Sequence, residues 1–209
     1  MRQHPSLYDE AYARLREWIE EGTLSRGTMT SEGKLCGQLG MSRTPVRAAL
    51  QRLALEGFLR IVPKRGILIL EPNLLRVGNS LDIAAALLLF AVEQSRRMGL
   101  GEVAAAAEEG RTALRRLTDE DPPGRYAEVE RRAFTAMAEA VRNAELSAAF
   151  ALTLRRLDWD RSALRRWQPP HRGRTREALD RLLAAAAAGS ADAGPRVLDY
   201  FHNLRLLWS

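Results

Sequence analysis

The sequence has one cysteine, Cys36, in 209 residues, so an intramolecular disulfide framework is excluded and no thiol cluster exists for zinc. Cys36 lies beside Leu35 and close to Leu39, where the residue pattern predicts a packing role rather than a reactive one. Histidine is almost as scarce. His4, His171 and His202 are far apart and form no pair at metal spacing. There is no Ser/His/Asp or Cys/His motif and no glycine-rich phosphate loop, which argues against an enzyme. Met1 to Glu10 is polar, unlike a signal peptide. The most apolar run, Leu81 to Val92, falls short of the roughly 18 to 20 residues needed to span a bilayer. These absences predict a cytoplasmic protein without a membrane partner.

What is abundant is positive charge, and it is concentrated. The net charge is +6 with a pI near 10.2. Between Thr23 and Leu70 there are eight Lys or Arg against two acids, Glu32 and Glu56, while the remainder carries 24 basic and 24 acidic groups. All the net positive charge therefore sits in one segment, as expected for a surface that meets nucleic acid.

The centre of that segment is SRTPVRAALQRLALEG, Ser42 to Gly57. Pro45 suits a first helical turn, where its missing amide costs nothing. Ser42 or Thr44 can cap the helix and Gly57 can end it. Val46, Ala49, Leu50, Leu53 and Ala54 form an inward stripe at helical spacing, leaving Arg43, Thr44, Arg47, Ala48 and Gln51 on the other face. Such a face suits a helix whose N-terminal end enters the DNA major groove, with Arg on guanine and Gln on adenine. An ordinary solvated helix face is the competing reading. The neighbours bear on the choice. Ser31 to Gly40 predicts a short helix with Leu35, Cys36 and Leu39 inward, followed by a turn at Gly40-Met41. Phe58 to Val62 and Ile67 to Leu70 predict two strands joined by Pro63-Lys64-Arg65-Gly66. The expected unit is a winged helix-turn-helix, with Leu7 to Glu21 as its first helix (Leu7, Tyr8, Ala11, Leu15, Trp18 and Ile19 at core spacing) and Thr23 to Thr30 as a loop.

The run LGMSRTPVRAALQRLALEGFLRIVPKRGILI resembles the DNA-binding domain of GntR-type bacterial transcription regulators: a glycine, an SRTPVR-like hexad, a leucine-bearing helix, EG, and a P-x-x-G wing. The likeness extends over about residues 8 to 71. It implies DNA contacts by Arg43, Thr44 and Arg47, with Lys64, Arg65 and Gly66 at the neighbouring minor groove or backbone; Ser42, Gln51 and Lys34 complete the candidate DNA-binding set. Two positions depart from the pattern. Ala48 replaces the usual acid after the second arginine, and Gly33, beside Lys34, replaces an arginine, so base preference is expected to differ.

Glu71-Pro72-Asn73 breaks the second wing strand, dividing residues 1–72 from 73–209. Beyond it strand patterns vanish. Leu74 to Met98, Glu102 to Leu117, Arg125 to Arg142, Ala144 to Trp167, Arg174 to Ala188 and Asp192 to Trp208 each suit a helix, with Gly78 and Asn79 able to split the first. The expected fold class is mainly α: an N-terminal winged helix-turn-helix plus a C-terminal antiparallel helical bundle.

This order resembles the FadR-type branch of the GntR family, with a helical effector-binding and dimerising (FCD-like) domain. The resemblance implies a homodimeric, ligand-responsive regulator, more often a repressor, on a short inverted repeat in a double-stranded DNA operator. Many members of that branch hold a divalent metal with an acid, a histidine four residues on, and two later histidines. Here those positions fall on Glu130, Phe134, Leu179 and, near the last, His202. Phe134 and Leu179 cannot coordinate, so no metal cofactor is expected, and an apolar organic effector is favoured. Leu87, Leu88, Leu89 and Phe90 could line its cavity or be ordinary core, and a filled bundle without an effector also fits. His4 and His171 are expected in solvent and His202 partly buried, able to bond an effector. Arg155-Arg156, Arg165-Arg166 and Arg172 to Arg176 have acids close by and read as solvated or salt-bridged faces, and Trp159 and Trp167 as bundle or dimer packing. The alternatives are a winged-helix protein-interaction module and an effector-independent DNA-binding protein whose C-terminal domain only dimerises.

Overall fold

The computed structural model describes residues 6–71, 73–99, 101–163 and 172–207. His4, His171, Arg165, Arg166 and Trp167, and the side chain of Trp159, lie outside what is described. The chain divides into two compact units, Met1–Asn73 with Asp158–Leu164, and Leu74–Leu157 with Arg165–Ser209.

In the first unit α1 spans Leu7–Glu21. Ser6 caps it by accepting a hydrogen bond from the Asp9 amide at 3.2 Å, and Gly22 ends it at φ +86°, a conformation a side chain disfavours. Ala11, Leu15 and Ile19, four residues apart, are fully buried, whereas Leu7 is exposed at the helix start instead of joining them. Met29–Thr30 form a short strand, β1, in what the sequence suggested was loop. It pairs antiparallel with β3 through Met29–Leu68 and Thr30–Ile67. Two residues carry too little alternation to be read as a strand; the partner strand defines them.

Helix α2 (Glu32–Leu39) starts at Ser31, whose hydroxyl accepts from the Lys34 amide, and ends at Gly40 with φ +65°. Leu35 is buried, while Cys36 and Leu39 are half-buried against the same core. Helix α3 spans Arg43–Leu55. The wing strands are β2 (Leu59–Val62) and β3 (Gly66–Ile69), giving the sheet order β1-β3-β2. One core joins Ala11, Leu15 and Ile19 of α1 with Leu35 of α2, Val46, Ala49, Leu50 and Leu53 of α3, and Leu59, Ile67 and Ile69 of the sheet.

The remaining helices are α4 (Leu74–Met98), α5 (Gly101–Arg115), α6 (Pro123–Glu139), α7 (Ala144–Ala163), α8 (Arg172–Ala187) and α9 (Ala193–Leu206), which belong to the second unit except for the end of α7 from Asp158 on. Helix α5 packs on α6 and α8, α4 on α9, and α8 on α9. Gly78 and Asn79 do not split α4. Gly78 is buried within it, and a Cβ there would lie 3.7 Å from Arg205 Nε. Arg205 is hydrogen-bonded to Asp82 one turn further on. Helix α4 is also longer and more apolar than the run Leu81 to Val92 suggested, with a mean hydropathy of 1.6 over its best 18 residues, enough by length and composition to cross a membrane. Val77, Leu81, Ala84, Leu88, Ala91 and Val92 are buried within the unit, so bundle packing accounts for much of that character. Phe90 is 47% exposed rather than part of the bundle core. The arginines of α8 divide their roles. Arg176 Nη2 donates to the carbonyls of Leu114 and Leu117, at 3.3 and 2.6 Å, at the end of α5. Asp180 receives Arg111 and Arg115 from α5.

Candidate nucleic-acid interface

Helix α3 buries one stripe and exposes the other. Val46, Ala49, Leu50 and Leu53 are at most 1% exposed, whereas Arg43, Thr44, Arg47 and Gln51 face solvent and Ala48 is half-buried between them. Ser42 occupies the cap position with extended backbone, but its side chain bonds no helix amide, and Thr44 lies within the helix rather than capping it. The Ser42 hydroxyl is exposed beside Arg43.

The far end of α3 is held by Tyr12, Arg52 and Glu56, which periodicity did not single out, together with Tyr8, which it did. Glu56 is 2% exposed, and its two oxygens are both engaged: Oε2 accepts from the Tyr12 hydroxyl at 2.6 Å and Oε1 from Arg52 Nε at 3.2 Å. The Arg52 guanidinium lies 4.0 Å above the Tyr12 ring and donates through Nη1 to the Tyr8 hydroxyl. A buried carboxylate is tolerated when its oxygens find donors, and a guanidinium stacked on an aromatic face gains further attraction. Burial, then the Glu56 hydrogen bond, pushes the Tyr12 phenol above its ordinary range, while the hydrogen bond to Tyr8 holds Arg52 firmly protonated. The i,i+4 spacings Tyr8–Tyr12 and Arg52–Glu56 were the only trace of this clamp in the sequence.

At the other end, Arg47 is paired with Glu32 of α2. Its Nε donates to Oε2 at 2.9 Å and its Nη2 to Oε1 at 2.7 Å. This hydrogen bonding holds the Glu32 carboxyl below the usual carboxylate range. Lys34, two residues on, is exposed. In the wing, Lys64 and Arg65 are exposed at the turn between β2 and β3; Lys64 has φ +60°, and the Arg65 amide closes the turn on the Val62 carbonyl at 3.0 Å. Gly66 follows at φ +115°, where a Cβ would collide with the Thr30 carbonyl of β1. Only glycine permits that approach, so β1 explains a residue that the wing turn alone did not. Arg43, Thr44, Arg47, Ser42, Gln51, Lys34, Lys64, Arg65 and Gly66 all belong to this first unit.

In the helical unit the structure brings together Glu130 and Phe134 of α6 with the inward face of α9, and it corrects the placement of His202. The buried stripe of α9 is Val197, Tyr200, Phe201 and Leu204, at i, i+3, i+4 and i+7; His202 lies beyond that stripe and is exposed. Tyr200 takes the inward position, donating its hydroxyl to Glu130 Oε1 at 2.7 Å, with the Tyr126 hydroxyl 3.3 Å away. The Phe134 ring meets Tyr200 edge-on and Phe201 tilted, each at 5.6 Å between centroids. Leu179 is fully buried. Among the described residues no three of His, Cys, Asp and Glu converge. A groove of about 400 Å³ lies between α5 and α6, lined by Ala106, Gly110, Ala113, Val129 and Ala133, and does not include Glu130, Phe134, Leu179 or His202.

Comparison with known proteins agrees with the geometry of the first unit. Residues 7–69 match the family described as bacterial regulatory proteins, gntR family. An uncharacterized HTH-type transcriptional regulator of Agrobacterium vitis is 44% identical over 59 residues, 28% of this chain and 34% of that one. The gluconate operon transcriptional repressor of Bacillus licheniformis is 30% identical over 89 residues, 43% of this chain and 36% of that one. The matched stretches thus span about a third of those curated relatives. Among solved structures, Lar, which controls expression of the Listeria monocytogenes agr system, has a TM-score of 0.69 at 16% identity, covering 99% of this chain and 98% of its own. A Rhodococcus sp. RHA1 protein named as a GntR transcriptional regulator has a TM-score of 0.61 at 19% identity, covering 98% of each chain. At such identities these likenesses establish the fold, which extends through the helical unit. Over residues 7–69 the chain carries the winged helix-turn-helix DNA-binding domain of the gntR family of bacterial regulatory proteins.

Proposed function

We propose that the whole chain is a ligand-responsive transcription regulator, acting as a repressor, that binds a short inverted repeat as a homodimer with one α3 per half-site. The observation that carries this reading is the exposed row Arg43, Thr44, Arg47 and Gln51 on a helix whose other face is anchored in a core. Short polar and forked cationic side chains at the start of such a helix can meet base edges and phosphates together. Lys64, Arg65 and the Gly66 backbone then serve the adjacent groove, Lys34 and Ser42 the phosphates, and Gln51 the inner end of the half-site. Two-fold pairing follows because one such helix covers only a few base pairs. The repressor sense is carried over from the Bacillus licheniformis relative.

The helical unit is proposed as the effector and dimerisation domain of the FadR-type branch, without a divalent metal. In support, Tyr200 bonds Glu130, Phe134 packs on Tyr200 and Phe201, and Leu179 is fully buried; Phe134, Phe201 and Leu179 offer no lone pair to an ion. An effector suited to such residues is largely apolar, with one group able to bond Glu130 or Tyr200.

The direct test selects duplexes from a randomised DNA library with the purified chain, then measures affinity for the winning and a scrambled duplex, with sedimentation mass read alongside. A preferred inverted repeat bound by a particle of twice 23.4 kDa is expected. Arg43→Ala should weaken the preferred duplex roughly tenfold to a hundredfold. No DNA binding at low salt would instead point to a protein-interaction module.

A further inference from the structure

We infer that Glu32 is a specificity-determining residue: it fixes the guanidinium of Arg47 so that only its terminal edge meets DNA, and it discourages attachment to phosphate at non-cognate sites. This rests on the DNA-binding role proposed for α3. Arg47 has five N–H donors in a rigid fork. Two of them, on Nε and Nη2, are spent on the two Glu32 oxygens at 2.9 and 2.7 Å. The edge formed by Nη1 and the second Nη2 proton stays open, with the Arg47 side chain 58% exposed. That edge can grip the O6 and N7 of guanine or two phosphate oxygens, in the direction the pair imposes.

An ion pair this open contributes little to stability, so folding alone does not account for it. Its electrostatic setting is more informative. Of the two acids between Thr23 and Leu70, Glu56 is buried against Tyr12 and Arg52, leaving Glu32 as the acid of that segment whose side chain reaches solvent, at 27% exposure. It stands among the cations that would face the DNA backbone. A carboxylate there repels every phosphate it passes. It is tolerated where the site rewards the orientation it gives Arg47, and it is a net penalty elsewhere. The pair joins α2 to α3 across 15 residues of sequence, so the turn at Gly40 and the packing of Leu35 place it rather than any local helix spacing.

The experiment compares the parent, Glu32→Gln and Glu32→Asp on the duplex selected with the parent and on its scrambled counterpart, by fluorescence anisotropy over a range of salt. In Glu32→Gln the affinity for the scrambled duplex should rise several-fold and its salt dependence steepen by about 0.9 in log–log slope for each Arg47 released onto a phosphate. The ratio of preferred to scrambled affinity should fall about tenfold, the scale of one base-edge contact. Glu32→Asp, which keeps the charge on a shorter arm, should fall between. Arg47→Lys, which keeps the charge but lacks the fork, should lose the same ratio, and Glu32→Gln should leave the ratio unchanged in an Arg47→Ala background. Equal weakening of both duplexes, an unchanged ratio, or a ratio shift that persists without Arg47 would each overturn the inference. Should Glu32→Gln lose its melting transition, the Glu32→Asp series decides by the same criteria. The parent is measured first, so its failure to prefer any duplex overturns the DNA-binding reading and not the role of Glu32 within it.

Discussion

Single side chains decide how firmly α3 is held, and Tyr12 is the most informative of them. Its hydroxyl donates to a carboxylate buried to 2% exposure. Tyr12→Phe removes that donor and leaves Glu56 with Arg52, which should cost about 1 to 2 kcal/mol in a urea melt. The pH dependence has a definite sign. Burial and Glu56 raise the Tyr12 phenol above its ordinary 10.0, so the unfolded chain loses this proton before the folded one does. The Tyr12 contribution is therefore complete below pH 10.0 and is lost as pH rises through the folded value. Between pH 9 and 11 the parent should lose stability more steeply than Tyr12→Phe; parallel curves would show that the phenol is not in this setting. Glu32 has the opposite sense. Its depressed carboxyl keeps the pair with Arg47 until the pH falls below the ordinary carboxylate range. Neither residue stands out in the sequence, because a tyrosine or glutamate on a helix has the same local pattern whether it faces water or a partner 44 residues away.

Helix packing is the next scale, and α5 on α6 shows how it is set. Gly110 is buried in the middle of α5, where a Cβ would sit 2.5 Å from the Ala133 Cβ of α6. The two helices therefore approach closely only because one contributes no side chain at the crossing. Alanine is the better helix former by up to about 1 kcal/mol, but overpacking here meets a Cβ that cannot rotate away and costs about 1 to 3 kcal/mol. Gly110→Ala should therefore be destabilising on balance in thermal unfolding. The swap Gly110→Ala with Ala133→Gly should recover much of the loss. A Gly110→Ala variant as stable as the parent would mean that the crossing is looser than described. The sequence marked the helices themselves well: α1 and α4 span the residues that periodicity assigned, and α5, α6, α8 and α9 differ from their assigned limits by a few residues at their ends. It gave no reason for the glycine within α5, since the reason is on another helix.

Over the molecule as a whole, charge and apolar surface are unevenly shared. The segment Thr23 to Leu70 has a net charge of +6, eight basic against two acidic residues, whereas Leu74 to Ser209 carries 21 basic against 18 acidic residues over a much longer stretch and is rich in alanine and leucine. That division matches a proposed division of labour between holding DNA and sensing a small molecule. For the proposed sensing half, the burial of Phe134 and Leu179, which cannot coordinate an ion, leads to a simple expectation. Chelator-stripped protein should show the same melting temperature with and without zinc, nickel or manganese, because an ion that binds the folded state specifically would raise it. A saturable rise of several degrees would sink the metal-free proposal and turn the effector search toward metal-chelating acids.

What the sequence determined by itself was whatever depends on neighbours along the chain: helix and wing periodicity, the turn at Gly40, the solvent-facing row Arg43, Thr44, Arg47 and Gln51, and the location of the charge. Those features are local, and local spacing encodes them. Tertiary structure decided the rest. It made a strand of Met29–Thr30 by pairing it with β3, and it required Gly66 because of a carbonyl 36 positions earlier. It bound Arg47 to Glu32, gave Glu56 to Tyr12, and turned His202 outward in favour of Tyr200 and Phe201. In each case the deciding atom is supplied by a different element. A residue's partners across a core follow from packing, which spacing along one helix does not specify.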